Sequence, residues 1–201
     1  MKYVSWFLII IGVGLLLFIF GPVIKEEVKY KFDQIGNIQY KIGGEQLSTF
    51  EKVLTPPNED FSIVIPKIAA VAPIVADVDS QNQKEYLSAL RRGVAHAKGT
   101  AKPLEGGNTY LFAHSTDAFY NVGQYNAVFY LIGKLQEGDE IDLFYRGRQI
   151  KYEVYAKKVV NPENVEYLGK IDDGETLTLQ TCYPPGTDWK RLIVLAKIVN
   201  D

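Results

Sequence analysis

The sequence predicts a mainly β domain, a closed or nearly closed barrel of seven or eight strands with a few short helices, behind one N-terminal transmembrane helix. Three observations predict it. From Phe61 onward, short runs of β-branched and aromatic residues alternate with period two between turn signals. The chain carries 13 tyrosines and 10 phenylalanines, residue types that suit a pleated, half-buried surface. Ahead of these strands, Tyr3 to Phe20 form an 18-residue stretch without a charge.

As a helix that stretch would span about 27 Å, against a hydrocarbon core of about 30 Å. Gly21-Pro22-Val23-Ile24-Lys25 offers no small-x-small cleavage pattern, so residues 1–22 read as a retained anchor rather than a removed signal peptide. Residues 23–57 read as a juxtamembrane spacer, partly helical. It closes at Leu54-Thr55-Pro56-Pro57, where two prolines break any regular element. Residues 58–201 make the folded domain.

Within that domain, Phe61–Ile65 and Ala70–Val75 read as short strands joined by Pro66-Lys67. Ser80 and Gln83 form a capping-box pattern, Tyr86, Leu87 and Leu90 share a helical face, and Gly93 stops the helix. Gly93–Pro103 reads as a loop containing His96. Thr109–His114 reads as a strand ending in histidine, and Val128–Leu135 as a short helix. Ile141, Leu143 and Tyr145 alternate on one side of Arg146-Gly147-Arg148-Gln149, and Ile150, Tyr152 and Val154 on the other, which is a hairpin. The second strand runs towards Val160 before Asn161-Pro162 opens a long connection.

The last hairpin carries the chemistry. In Glu175–Cys182, Leu177 and Leu179 fall on one face, and Thr178, Gln180 and Cys182 on the other. Tyr183-Pro184-Pro185-Gly186 cannot continue a strand, and Arg191–Val199 is nearly continuous in apolar, β-branched residues. Antiparallel pairing of these arms makes Cys182 and Arg191 the last opposed pair before the loop, with Cα atoms about 4.5 to 5.5 Å apart. A guanidinium beside a thiol favours the thiolate, and its N–H donors can take up charge on a reacting carbonyl oxygen.

Composition narrows the alternatives. A formal net charge of −2 argues against a nucleic-acid partner, and a single cysteine excludes an intramolecular disulfide. An unpaired cysteine is commonly a small buried hydrophobe, but a polar-face position beside arginine favours a reactive one. Of the two histidines, His114 at a strand end is the candidate base, and His96 takes a structural or substrate-facing role. No pair among Cys182, His96 and His114 has the short spacing of a structural zinc site, so no metal or other cofactor is expected. Acidic Glu163, Asp172 and Asp173 precede the cysteine strand, but such a cluster reads as a solvated face and does not support calcium activation.

Thr178-Leu179-Gln180-Thr181-Cys182 matches the TLxTC motif of sortases, the membrane-anchored cysteine transpeptidases, and Arg191-Leu192-Ile193-Val194 follows at the distance of their catalytic arginine. Gly93-Val94-Ala95-His96 and Gly107-Asn108-Thr109 leading to Ala113-His114 resemble the segments before the family's histidine. The resemblance covers Phe61 to Val199. It implies an eight-stranded sortase barrel, with Cys182 as nucleophile, His114 as acid and base, Arg191 on the substrate carbonyl or oxyanion, and Thr181 helping to seat the substrate. It also implies substrate proteins ending in an LPxTG-like sorting signal, an amine acceptor on the cell envelope or a pilin, and a single-pass membrane protein with its catalytic domain outside. His114 is followed by Ser115-Thr116 where many members have an arginine, and the spacer lacks the DPW- or DPF-like lid of pilus-polymerising members. The same residues would serve a peptidase that only hydrolyses. A catalytically silent binding module is the reading from another class.

Overall fold

The computed structural model describes residues 2–44, 48–115, 128–169, 171 and 174–199. The chain begins with helix α1 (Lys2–Ile35), followed by β1 (Gln39–Ile42) and β2 (Glu51–Leu54), which pair in parallel as a separate two-stranded sheet. The spacer region is therefore structured along much of its length. Tyr30 packs against the domain core, Lys134 Nζ donates to Glu27 Oε1 at 2.8 Å, and Tyr40 donates its hydroxyl to Asp33 at 2.7 Å. Among the described residues, no helix is long and apolar enough to cross a membrane. Tyr3 to Phe20 lies within α1, and part of its side chains falls outside the described ones.

Eight further strands build the domain: β3 (Phe61–Ile65), β4 (Ala70–Val78), β5 (Val94–Ala97), β6 (Asn108–Phe112), β7 (Glu140–Tyr145), β8 (Arg148–Val160), β9 (Thr176–Tyr183) and β10 (Lys190–Ile198). They close into a barrel in the order β10-β8-β7-β3-β4-β5-β6-β9, with β9 returning to β10. Neighbours are antiparallel except β4–β5 and β6–β9. Closure removes free strand edges, so the short strands β5 and β6 are each paired on both sides.

Alternation along the strands sorts two packed layers. Inside, Ile63, Leu111, Ile141, Leu143, Leu177 and Leu179 are wholly buried, each stabilising the fold by roughly 1.5–3 kcal/mol relative to exposure. Outside, a smaller cluster of Ala97, Tyr110, Ile193 and Leu195 lies beneath Tyr167, Leu168 and Ile171 of the connection between β8 and β9. This outer strip is why β10 reads as apolar on both faces.

Several elements differ from the sequence expectation for identifiable reasons. The segment expected as a loop contains β5, so His96 is a strand residue. Helix α2 (Gln83–Leu90) is capped by Asn82 rather than Ser80: the Asn82 side chain accepts the Glu85 N–H, and Glu85 reaches back to the Asp79 N–H. Gly93 does more than stop that helix, since a Cβ there would lie 2.1 Å from the Pro73 carbonyl oxygen. Tyr130–Lys134 is a 3-10 turn in place of the expected helix, and Pro66–Ile68 forms another. At the last hairpin, one more pair, Lys190 and Tyr183, stands beyond Arg191 and Cys182 before the loop.

Candidate active site

Strand β9 lies between β6 and β10, and its two registers assemble the site. On one side Arg191 opposes Cys182, at the Cα separation of about 4.5–5.5 Å that antiparallel pairing imposes. On the other, the parallel ladder pairs Phe112 with Gln180 and extends one bond further, from Ala113 N–H to the Gln180 carbonyl at 3.1 Å. Carried on by two residues, that register sets His114 against Cys182, with adjacent parallel strands about 4.8 Å apart. His114, Cys182 and Arg191 therefore occupy consecutive strand ends at one rim of the barrel.

Parity fixes which way the cysteine faces. Leu177 and Leu179 point into the core, so Thr178, Gln180 and Cys182 lie on the outer face, as the alternation predicts. Thr181 shares the inner face with the leucines. It is 3% exposed, and its hydroxyl donates to the Ala113 carbonyl at 2.9 Å. That bond ties β9 to the residue immediately before His114.

Cys182 is a half-buried free thiol. Burial pushes its pKa up; the Arg191 guanidinium pulls it down and the Asp188 carboxylate pushes it up, and the net displacement is upward. Arg191 thus acts in the direction the sequence reading expects, but desolvation outweighs it. A raised pKa works against the thiolate, the form that attacks, so a nearby base would help this thiol. The guanidinium is itself held in place: Nη1 donates to the carbonyls of Asp188 at 2.9 Å and Lys190 at 3.1 Å. Those bonds engage one nitrogen of a five-donor fork, so others can serve a reacting carbonyl oxygen.

His96 takes the structural role of its two alternatives. Its ring is 0% exposed, Nδ1 accepts the Asp77 N–H at 3.2 Å, and Nε2 stands 3.1 Å from the Ala101 carbonyl and 3.0 Å from the Thr100 hydroxyl. Nε2 therefore carries the proton and donates to Ala101. Burial lowers its pKa, keeping the ring neutral. His96 latches β4 to the turn after β5.

Asp117, near His114 in sequence, and the acidic Asp172 and Asp173 lie outside the described residues. Among the described residues, no group of three His, Cys, Asp or Glu side chains is arranged to hold a metal. A pocket of about 350 Å³ lies between the last turns of α1, β1 and Pro66–Ala69, and no residue lining it belongs to β6, β9 or β10. One further residue belongs to the site: Tyr110, whose hydroxyl donates to the Gln180 side chain beneath the thiol. Its period-two relation to Phe112 and His114 was the available signal. Taken together, a protonated nucleophile flanked by a histidine and an arginine suits acyl transfer through a thioester.

A family model described as Sortase domain matches residues 63–199. Sortase D of Bacillus subtilis (strain 168) is 31% identical over 139 residues, which are 68% of this chain and 62% of that protein. The chain thus spans less than two thirds of that relative's length. The crystal structure of sortase C-1 from Actinomyces oris superposes with a TM-score of 0.58 at 31% identity, covering 70% of this chain and 74% of its own. A Clostridium perfringens protein described as a sortase D5 transpeptidase gives a TM-score of 0.58 at 30% identity, covering 70% of this chain and 79% of its own.

Proposed function

The chain belongs to the sortase family, and on that premise we propose that it is a cysteine transpeptidase that cleaves an LPxTG-like sorting signal and transfers the protein to a cell-surface amine. The observation that carries this reading is the row His114, Cys182, Arg191 on three adjacent strand ends, with the thiol on the outer face. Cys182 gives its proton to His114 and attacks the carbonyl of the scissile bond. Arg191 stabilises the oxyanion, and His114 then protonates the departing amine, leaving a thioester on Sγ. In the second half, His114 takes a proton from the incoming amine as it attacks the thioester, and Cys182 leaves as thiolate and is reprotonated. His114 thus moves a proton in both halves, from the thiol to the departing amine and then from the incoming amine to the leaving thiolate.

The same reading makes Tyr3 to Phe20 a retained membrane anchor with the catalytic domain outside. Two facts support it: the stretch has no charge over 18 residues, and Trp6, Phe7, Leu8, Ile9 and Ile10 are all exposed along α1. A helix so apolar over its exposed side chains is stable when lipid surrounds it.

The test is intact-mass analysis of the full chain in detergent micelles, incubated with LPxTG-like peptides with and without a glycine-based amine. An acyl adduct on Cys182 that passes to the amine is the expected result. An adduct that yields only free acid would replace transfer by hydrolysis. Absence of any adduct, while Cys182 still reacts with iodoacetamide, would overturn the reading.

A further inference from the structure

Below the reactive row, on the same outer face, Tyr110 and Gln180 form a polar pair, and further down the two strands Thr178 and Thr176 both donate to Asn108. Tyr110 is buried, and its hydroxyl donates to Gln180 Oε1. An O–H donor requires the amide oxygen on its side, so this bond orients the Gln180 side chain and turns Nε2 away from Tyr110. Among the described residues that nitrogen has no partner, and Gln180 is only partly buried. Around it stand Ile193 on β10 and Phe112 on β6, both apolar. Burial raises the Tyr110 pKa despite the nearby Arg191, so the phenol stays a donor across the ordinary pH range.

We infer that Gln180 is a substrate-binding residue, its amide N–H donating to a backbone carbonyl of the bound peptide two residues from the scissile bond, with Tyr110 as its positioning residue. The spacing is set by the strand. Gln180 and Cys182 are two residues apart on one face of β9, which places them roughly 6.5–7 Å apart. An extended peptide repeats over the same length, so a chain lying along β9 with its reacting carbonyl at Cys182 brings another backbone carbonyl over Gln180. A donor already oriented by Tyr110 adds to ground-state binding of the extended peptide, since the carbonyl it meets takes no part in the reaction.

This inference rests on the transpeptidase reading, and its test separates the two. The full chain in micelles is assayed for acylation with the peptide that modifies Cys182, alongside analogues with an ester replacing the peptide bond two residues to either side, which weakens the carbonyl acceptor. Loss of one neutral hydrogen bond makes Gln180→Leu raise KM roughly three- to tenfold, with kcat within about twofold. One of the ester peptides costs wild type a similar factor and costs Gln180→Leu nothing further. Tyr110→Phe loses roughly two- to threefold, and combining it with Gln180→Leu adds little, since the two act as one unit. Gln180→Leu alone strands the buried Tyr110 hydroxyl and lowers the thermal midpoint, so the midpoint is read in the Tyr110→Phe, Gln180→Leu double variant. A merely structural role would leave KM there at the wild-type value, whereas the raised KM persists and the alkylation rate of Cys182 stays unchanged. Wild type that acylates while Gln180→Leu keeps its KM, or an ester penalty that persists in Gln180→Leu, overturns this inference alone. Failure of every peptide to acylate wild type overturns both.

Discussion

The barrel holds two histidines on neighbouring strands, and they meet opposite conditions. His96, in the middle of β5, is wholly enclosed with both ring nitrogens engaged, while His114, two residues past β6, sits half-buried at the rim beside Cys182. Desolvation acts in both places by disfavouring charge: it lowers the His96 pKa and raises that of Cys182. At the latch a neutral ring is what the hydrogen bonds require, so burial and structure agree. At the rim a neutral thiol is a poor nucleophile, so burial works against attack, and in the mechanism we propose His114 offsets it. The same physical term is structural in one region and mechanistic in the other, and the strand end decides which.

The largest effect expected from this contrast is at the rim. His114→Ala should cut acylation by roughly 10²–10⁴-fold, as removal of a general base does, while the thermal midpoint moves little. An acylation rate within tenfold of wild type would break the contrast by making His114 dispensable. His96→Ala should do the reverse. It removes the ring partner of the Asp77 N–H and the Ala101 carbonyl and empties a wholly buried site, at a cost of about 2–4 kcal/mol in unfolding free energy, while the folded fraction acylates within a few fold of wild type. The latch also predicts a pH signature. His96 has a folded pKa below its unfolded value of about 6.5, so its stabilisation is complete above that pH and is lost as pH falls through the folded value. Asp77 and Glu105 oppose this shift and Lys102 reinforces it. Denaturant titrations between pH 4 and 8 should show an acid slope in wild type that His96→Ala lacks.

The two regions also differ in how legible they were. The cysteine–arginine pair could be read because it depends on a single hairpin: period-two alternation in β9, a Pro-rich loop and an apolar return strand fix the register locally. Cys182 and Arg191 pair as that pattern requires. His114 could be named as a base but not placed, since its position depends on a parallel pairing between β6 and β9 whose strands are separated by more than sixty residues. Long-range parallel register leaves no local trace. β5 was missed for a related reason: Val94–Ala97 is four residues among glycines, and only its pairing with β4 and β6 makes it a strand. The inward turn of Thr181 followed from its parity with Leu179, a signal that the family motif overshadowed.

A smaller effect sharpens the rim further. Arg191→Lys keeps the charge but removes the planar fork, so the bonds to the Asp188 and Lys190 carbonyls and to a reacting oxygen cannot all be made. Acylation should fall roughly 10- to 100-fold, with the change in kcat rather than KM if the lost contact belongs to the transition state. Near-normal kcat would reduce Arg191 to a local charge.

The smallest change tests the balance of terms on the thiol itself. Asp188 affects the site in two ways: its carbonyl accepts from Arg191, and its carboxylate raises the Cys182 pKa. Asp188→Asn removes the second and keeps the first. Alkylation by iodoacetamide follows the thiolate fraction, which is small at pH 7.5 when the pKa lies above the ordinary cysteine value, so a modest downward shift multiplies the rate directly. The variant should react roughly two- to threefold faster at that pH, and Arg191→Gln more slowly by a comparable factor, because one change removes an anion and the other a cation. In wild type the rate should climb through and beyond about pH 8.5. A plateau already reached below pH 7 would mean that the thiolate is held as an ion pair with protonated His114. Burial would then have ceased to dominate at the rim, and the parallel with the latch would fail at the residue where the chemistry begins.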